Sequence, residues 1–154
     1  MATADIGDPA LDAAPHDQAK KSGDRLHCLV VTPETTLFDD VVEFVALPLY
    51  DGELGVLPGR APLIGRLGYG ELRTRTGGAT RHYFVDGGFA QVRDDVVTVL
   101  TGRAIPAERI DAGAAADELE RARTRRTTTD GERAEKERAI ARARAQLRVA
   151  AHRG

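Results

Sequence analysis

Apolar residues change their spacing twice along the chain, and the changes divide it into three stretches. The middle one is built of short β-type runs. Leu26-His27-Cys28-Leu29-Val30-Val31 predicts a strand closed by Thr32-Pro33-Glu34, and residues 41–47 predict another, ended by Pro48. Further strands are predicted over 53–57, 70–76, 80–85, 88–92 and 96–101. The separators are turn formers: Asp51-Gly52, Pro58-Gly59, Gly77-Gly78, Asp86-Gly87 and Asp94-Asp95. Strands punctuated by Gly, Pro and Asp about every 8–12 residues are the pattern of an all-β sandwich or barrel. No strand–helix alternation runs through this region, which disfavours a doubly wound parallel sheet. Residues 26–105 are therefore assigned to an antiparallel β-sandwich.

Beyond Ile105-Pro106 the period becomes helical. Asp111 is placed as the N-cap of a first helix, with Asp117, Glu118 and Glu120 early and Arg121, Arg123, Arg125 and Arg126 late, an order that complements the helix dipole. The run Thr127-Thr128-Thr129-Asp130-Gly131 breaks that helix, and Thr129-x-x-Glu132 has the spacing of a capping box for a second one. Ile140, Ala143, Leu147 and Ala150 form its narrow apolar stripe, and Asp117–Arg121 and Glu132–Lys136 are i,i+4 pairs. Residues 106–154 thus read as an antiparallel two-helix hairpin. Its stripe is mostly alanine, so it buries little area and should be loosely held on its own domain. Residues 1–25, with five Asp, two Pro and no sustained period, read as a disordered arm.

Charge adds an asymmetry that the net value of −2 conceals. From Asp117 to Gly154 there are eleven Arg or Lys against seven Asp or Glu. The basic tail invites a nucleic-acid reading, but its interleaved acids and the 5% aromatic content of the chain, with no Trp, give bases little to stack on. No run approaches the roughly 20 apolar residues of a membrane span, and the N-terminus lacks a basic region followed by an apolar stretch. Cys28 is alone, so there is neither a disulfide framework nor a thiolate cluster, and a reducing compartment fits.

Signs of an active site are missing from the sequence. His16, His27, His82 and His152 lie far apart and match no metal-ligand spacing. No nucleophile elbow and no phosphate-binding P-loop occurs, and Gly68-Tyr69-Gly70 fails as a dinucleotide fingerprint at Arg73. The paired acids Asp39-Asp40 and Asp94-Asp95 are expected at turns, where Asp is favoured for local hydrogen bonding. Neither catalysis, a cofactor nor a metal is expected.

The densest turn chemistry lies in Asp51-Gly52-Glu53-Leu54-Gly55-Val56-Leu57-Pro58-Gly59-Arg60-Ala61-Pro62. Three glycines and two prolines make a rigid, exposed connection, suited either to presenting side chains or to an ordinary pair of hairpin turns. This segment is very similar to the glycine–proline loop of the ε subunits of bacterial F-type ATP synthases. Further stretches resemble that family in the same order: Thr32-Pro33-Glu34 with Leu37-Phe38, Tyr83-Phe84-Val85-Asp86-Gly87-Gly88-Phe89, Val96-Val97-Thr98-Val99-Leu100, and Ala143-Arg144-Ala145-Gln146-Leu147-Arg148-Val149. The resemblance spans residues 26–151.

The resemblance implies a non-catalytic subunit of the central rotor stalk that couples ion flow to ATP synthesis. Its partners would be the γ subunit, the ring of c subunits and, through the hairpin, the α/β catalytic hexamer. Membrane contact would run through partners alone, on the cytoplasmic face of the bacterial inner membrane. By resemblance the contact residues toward the c ring and γ are Gly52, Glu53, Leu54, Gly55, Pro58, Gly59, Arg60, Ala61 and Pro62. Arg60 stands where many members carry His, which keeps a cation and removes titration near neutral pH. In the family the hairpin can extend along γ and inhibit ATP hydrolysis. Some members bind ATP through an I/L-D-x-x-R-A motif. Here that motif reads Ile110-Asp111-Ala112-Gly113-Ala114-Ala115, so Asp111, Arg121 and Arg142 match binding positions while Ala114 and Gln146 replace arginines. The expectation is weak or no ATP binding. A stand-alone β-sandwich module with a dimerising helical tail is the competing reading.

Overall fold

The computed structural model describes residues 24–152, so the arm read over residues 1–25 lies outside the described residues except for Asp24 and Arg25. Strands precede two helices, as expected, though eight are formed where the sequence predicted seven. They are β1 Leu26–Val31, β2 Thr36–Val42, β3 Phe44–Leu49, β4 Gly52–Val56, β5 Leu63–Thr76, β6 Ala79–Arg93, β7 Val96–Leu100 and β8 Ala104–Pro106. A 3-10 turn, Ala107–Arg109, leads into α1 Ala112–Thr124 and α2 Asp130–Ala150.

The strands follow the order β2-β1-β7-β6-β5-β3-β4, with β8 added to β6. All pairs are antiparallel except β1 with β7, which run parallel. Alternation explains the core. In β1 the even positions Leu26, Cys28 and Val30 point inward, and in β7 Val97 and Val99 do so. They meet Val42, Val45, Leu47, Val56, Leu72, Val85 and Val92, all essentially inaccessible to water. A residue of this size contributes about 1.5–3 kcal/mol on full burial, so the sandwich carries most of the stability of the fold.

Several strand boundaries differ from the sequence reading, β5 starting at Leu63 and β8 being an addition, and two of the differences bear on the topology. The run 41–47 is not one strand. It breaks at Glu43 between β2 and β3, where the chain leaves β1 and joins β5, with the Glu43 N–H donating to the Arg75 carbonyl at 2.8 Å. The apolar character is continuous there because both strands bury residues against the same core, so pattern alone cannot see the crossing. Conversely, Asp86-Gly87 is not a turn. Strand β6 passes straight through it, paired with β5 from Leu63↔Val92 to Thr76↔Ala79. The glycines instead let the ribbon change partners: Tyr83–Val85 pairs with β8 and Phe89–Arg93 pairs with β7. Asp39 and Asp40 likewise lie inside β2 rather than in a turn, opposite Leu29 and Cys28.

The helices form from the signals read in the sequence. The Asp111 carboxylate accepts the Ala114 N–H at 3.0 Å, and Thr129 and Glu132 make a complete capping box. Asp130 and Gly131 belong to the first turn of α2, so the break between helices is shorter than the sequence suggested. The expected i,i+4 pairs are replaced. Arg121 bonds Glu118 at 2.7 Å, while Glu132 is occupied by the cap and Lys136 donates to the Arg125 carbonyl at 2.9 Å. Satisfying free backbone groups at the helix ends wins over side-chain pairing, whose contribution at exposed sites is small.

A second, small core holds the hairpin on the sandwich. Phe84 is fully buried between β6 and α2, with Ile110, Ala145, Val149 and Ala150 around it. Tyr83 and Val85 face the sandwich core while Phe84 faces the helix, which is why three consecutive residues of β6 are buried. The stripe on α2 is therefore broader than the one read at Ile140, Ala143, Leu147 and Ala150: Ala145 and Val149 are buried as well as Ala143 and Ala150. Between α1 and α2 the buried residues are alanines, Ala115, Ala122 and Ala143 among them.

The lone cysteine behaves as a core residue. Burial, and secondarily the nearby Asp39 carboxylate, push the Cys28 thiol up to about 12. At pH 8 only about one thiol in ten thousand is then thiolate. The native chain should therefore resist a disulfide-exchange reagent over hours at pH 8 and react with one equivalent once unfolded in guanidinium. Rapid labelling of the native chain would contradict this placement.

Candidate functional site

The segment 51–62 folds as two pieces with different freedom. Gly52–Val56 is the edge strand β4, paired with β3 from Leu49↔Gly52 to Val45↔Val56. Glu53 does not project freely from it. Its carboxylate grips the Arg73 guanidinium with both oxygens, at 2.8 and 3.3 Å. Leu54 packs partly against the core, and Gly55 lies under Phe44, whose ring leaves a side chain there little room.

The free piece is 57–62. Leu57-Pro58-Gly59-Arg60 is a type II turn: proline sets the first central residue, Gly59 takes φ 87°, and the Arg60 N–H donates to the Leu57 carbonyl at 3.2 Å. The turn is pinned from outside by Asp95, whose carboxylate accepts the Gly59 N–H at 2.7 Å. Asp94 and Asp95 both have positive φ, forming the tight β6–β7 turn. One acid of the pair singled out in the sequence therefore fixes the loop. Leu57, Gly59, Arg60, Ala61 and Pro62 are left exposed on a braced support.

Next to this turn is a surface that the sequence reading did not mark. Ile64, Phe89 and Leu100 are 77%, 57% and 53% exposed. Phe89 lies opposite Leu100 on one side and opposite Arg66 on the other, and Ile64 lies opposite Gln91, so all share the outer face of β5, β6 and β7. Tyr50, also exposed, carries the Arg66 guanidinium 4.8 Å over its ring. Parity along β6 holds the missed signal: Ala90 and Val92 point inward, so Phe89 must point out. Exposed apolar residues grouped on one face beside a rigid turn make a candidate surface for a protein partner.

Each helix residue singled out for nucleotide binding has a protein partner of its own. Asp111 is spent on capping α1. Arg121 is exposed and bonded to Glu118. Arg142 donates through Nε to both Asp86 oxygens at 3.0 and 3.1 Å and lies 5.0 Å over the Tyr69 ring. A cleft of about 320 Å³ between the helices is lined by Ala114, Glu118, Arg142 and Gln146, with Arg103 also reaching it.

Similarity to known proteins covers both parts of this arrangement. Residues 25–107 match the family model described as ATP synthase, Delta/Epsilon chain, beta-sandwich domain. A protein of Rhodopirellula baltica named ATP synthase epsilon chain is 55% identical over 124 residues, which cover 80% of this chain and 97% of that one. The chain belongs to the ATP synthase delta/epsilon family. An epsilon chain of Nitratidesulfovibrio vulgaris is 40% identical over 128 residues, 80% of this chain and 94% of the other. Among solved structures, a chain in the cryo-EM structure of the Euglena gracilis mitochondrial ATP synthase (OSCP, F1 and c-ring) superposes with a TM-score of 0.75 at 28% identity, covering 84% and 82% of the two chains. A chain of the Tetrahymena thermophila mitochondrial central stalk and c-ring shares the fold, with a TM-score of 0.64 at 12% identity.

Weak or no ATP binding remains the expectation for the cleft between the helices. The Glu118 carboxyl, held below its ordinary range by the hydrogen bond from Arg121, keeps a negative charge on the wall of this cleft. Arg142 lines the cleft while held by Asp86 through Nε, and each arginine that the resemblance expects in place of Ala114 and Gln146 would have contributed about 1.5–3 kcal/mol of charge-assisted bonding. Calorimetry of the full chain should show no saturable ATP binding below about 1 mM. Micromolar binding would overturn this.

Proposed function

We propose that this chain is the non-catalytic epsilon subunit in the central rotor stalk of a bacterial F-type ATP synthase, coupling ion translocation in the membrane sector to ATP synthesis. The observation that carries the reading is the similarity to a named epsilon chain over 124 residues, a length that must take in helices as well as sandwich. The geometry supports it. A torque-bearing part needs a stiff body, and here a sandwich core with a braced turn supplies one. The exposed face around Ile64, Phe89 and Leu100 is the surface we assign to the γ subunit, with the turn at 57–62 and Arg60 toward the c ring. Glu53 acts there indirectly, by fixing Arg73. No helix among the described residues is long and apolar enough to cross a membrane. In our reading the chain meets the cytoplasmic face of the inner membrane through its partners.

The hairpin is the regulatory part of the proposal. Its hold on the sandwich rests on a small core around Phe84, the Arg142–Asp86 pair and the contacts of His152 with Glu71 and His82. That interface is small enough to open and specific enough to close again. In the extended state the basic face of α2 would meet acidic segments of the catalytic hexamer and block hydrolysis. A chain ending after Ile110, reconstituted into the complex, should raise ATP hydrolysis several-fold, with circular dichroism confirming an intact sandwich. Unchanged hydrolysis with normal assembly would sink the inhibitory role.

A further inference from the structure

The end of α2 meets the sandwich at a side-chain cluster that belongs to neither surface described above. Glu71 on β5, His82 on β6 and His152, just past α2, converge from three elements. The His82 Nδ1 lies 3.1 Å and the His152 Nδ1 2.5 Å from the same oxygen, Glu71 Oε2. The two imidazoles are stacked with centroids 4.8 Å apart and planes inclined by 23°. Glu71 and His82 are largely shielded, while His152 is half exposed. Among the described residues this is the one group of three such donors close enough to share an ion, with all donor atoms within 4.8 Å of one another.

The donor set is that of a borderline transition metal. Two imidazole nitrogens and a carboxylate oxygen suit Zn²⁺ and its neighbours, and tetrahedral ligands at about 2.0–2.1 Å stand roughly 3.3 Å from each other. The His82 nitrogen–oxygen separation is already near that edge length, and the exposed His152 imidazole would move out by roughly 1 Å or less to reach it. The carboxylate is also pre-set. Arg73 approaches its other oxygen, Oε1, at 3.4 Å, leaving Oε2 for the imidazoles. That guanidinium is gripped by both oxygens of Glu53, so it orients Glu71 without consuming its charge. On binding, each Nδ1 gives up its hydrogen bond to Oε2 and coordinates, with the ring proton on Nε2. The exposed side near His152 leaves the fourth position to water.

We propose that Glu71, His82 and His152 form a Zn²⁺-class site that staples the end of α2 to the β5–β6 ribbon. The proposal concerns the docked form of the hairpin and stands whether or not the hairpin ever leaves it. Zn²⁺ titrated into the full chain should bind at one equivalent with a Kd in the micromolar range, raise the melting temperature and slow hydrogen exchange in α2. His152→Ala and His82→Ala should each weaken binding by at least about tenfold. His27→Ala, which removes a histidine paired with Asp39 on another strand, should leave it unchanged. His152 is half exposed and lies past the last turn of α2, so its replacement tests the site without threatening the fold. Absent binding, or binding of equal strength in His152→Ala, overturns the site. Binding that leaves exchange in α2 unchanged overturns the staple. A His152→Ala chain destabilised to the same extent with and without Zn²⁺ marks a plain hydrogen-bonded latch and also overturns the proposal.

Discussion

Gly88→Ala should unfold much of the population of this protein at temperatures the parent tolerates. Gly88 sits at φ 109°, and a Cβ added there would lie 2.0 Å from the Leu100 carbonyl oxygen and 2.9 Å from the Thr101 Cα. Both obstacles are backbone, so no rotamer change relieves them. The ribbon must instead shift where β6 exchanges β8 for β7, breaking registry on one side. Backbone strain and overpacking together should cost about 3 kcal/mol or more, or roughly 10 °C in Tm for a chain of this size. Gly102→Ala is the control, since a Cβ there meets nothing within 4 Å. Urea denaturation of both variants checks the prediction. A Gly88→Ala chain as stable as the control would mean that the bend in β6 is misplaced.

The second large effect concerns assembly rather than folding. Ile64→Asp combined with Phe89→Asp should weaken binding to the γ subunit by about a hundredfold, close to 3 kcal/mol, because two apolar anchors become charges that must be desolvated at the interface. The same double variant should melt within a few degrees of the parent, since both side chains already face water. Titration of the variant against γ with fluorescence detection separates the two effects. Parental affinity in a folded double variant would show that this face is not the γ surface.

Much of this architecture was legible because local signals and burial agree. β1 and β7 alternate cleanly, and the Thr129–Glu132 capping box is a purely local device that forms as its spacing dictates. The failures share another cause. Glu43 looks like one polar residue within a strand, because the crossing from β1 to β5 is made by pairing and not by a turn former. Asp86-Gly87-Gly88 carries turn residues but serves a bend in a ribbon held on both sides by partners far along the chain. The candidate surfaces divide in the same way. The rigid turn at Pro58-Gly59 could be read directly, whereas Glu53 meets Arg73, and Glu71 meets His82 and His152, only after folding closes separations that no spacing rule spans.

The central claim is that this chain is a rotor-stalk part, and association with γ tests it most directly. The full chain, mixed with the γ subunit of the same organism and passed through a sizing column coupled to light scattering, should elute as a one-to-one complex with no excess of either partner at micromolar concentration. Separate elution of the two, with the chain running as a stable homodimer, would contradict the account and favour a self-associating β-sandwich module in its place.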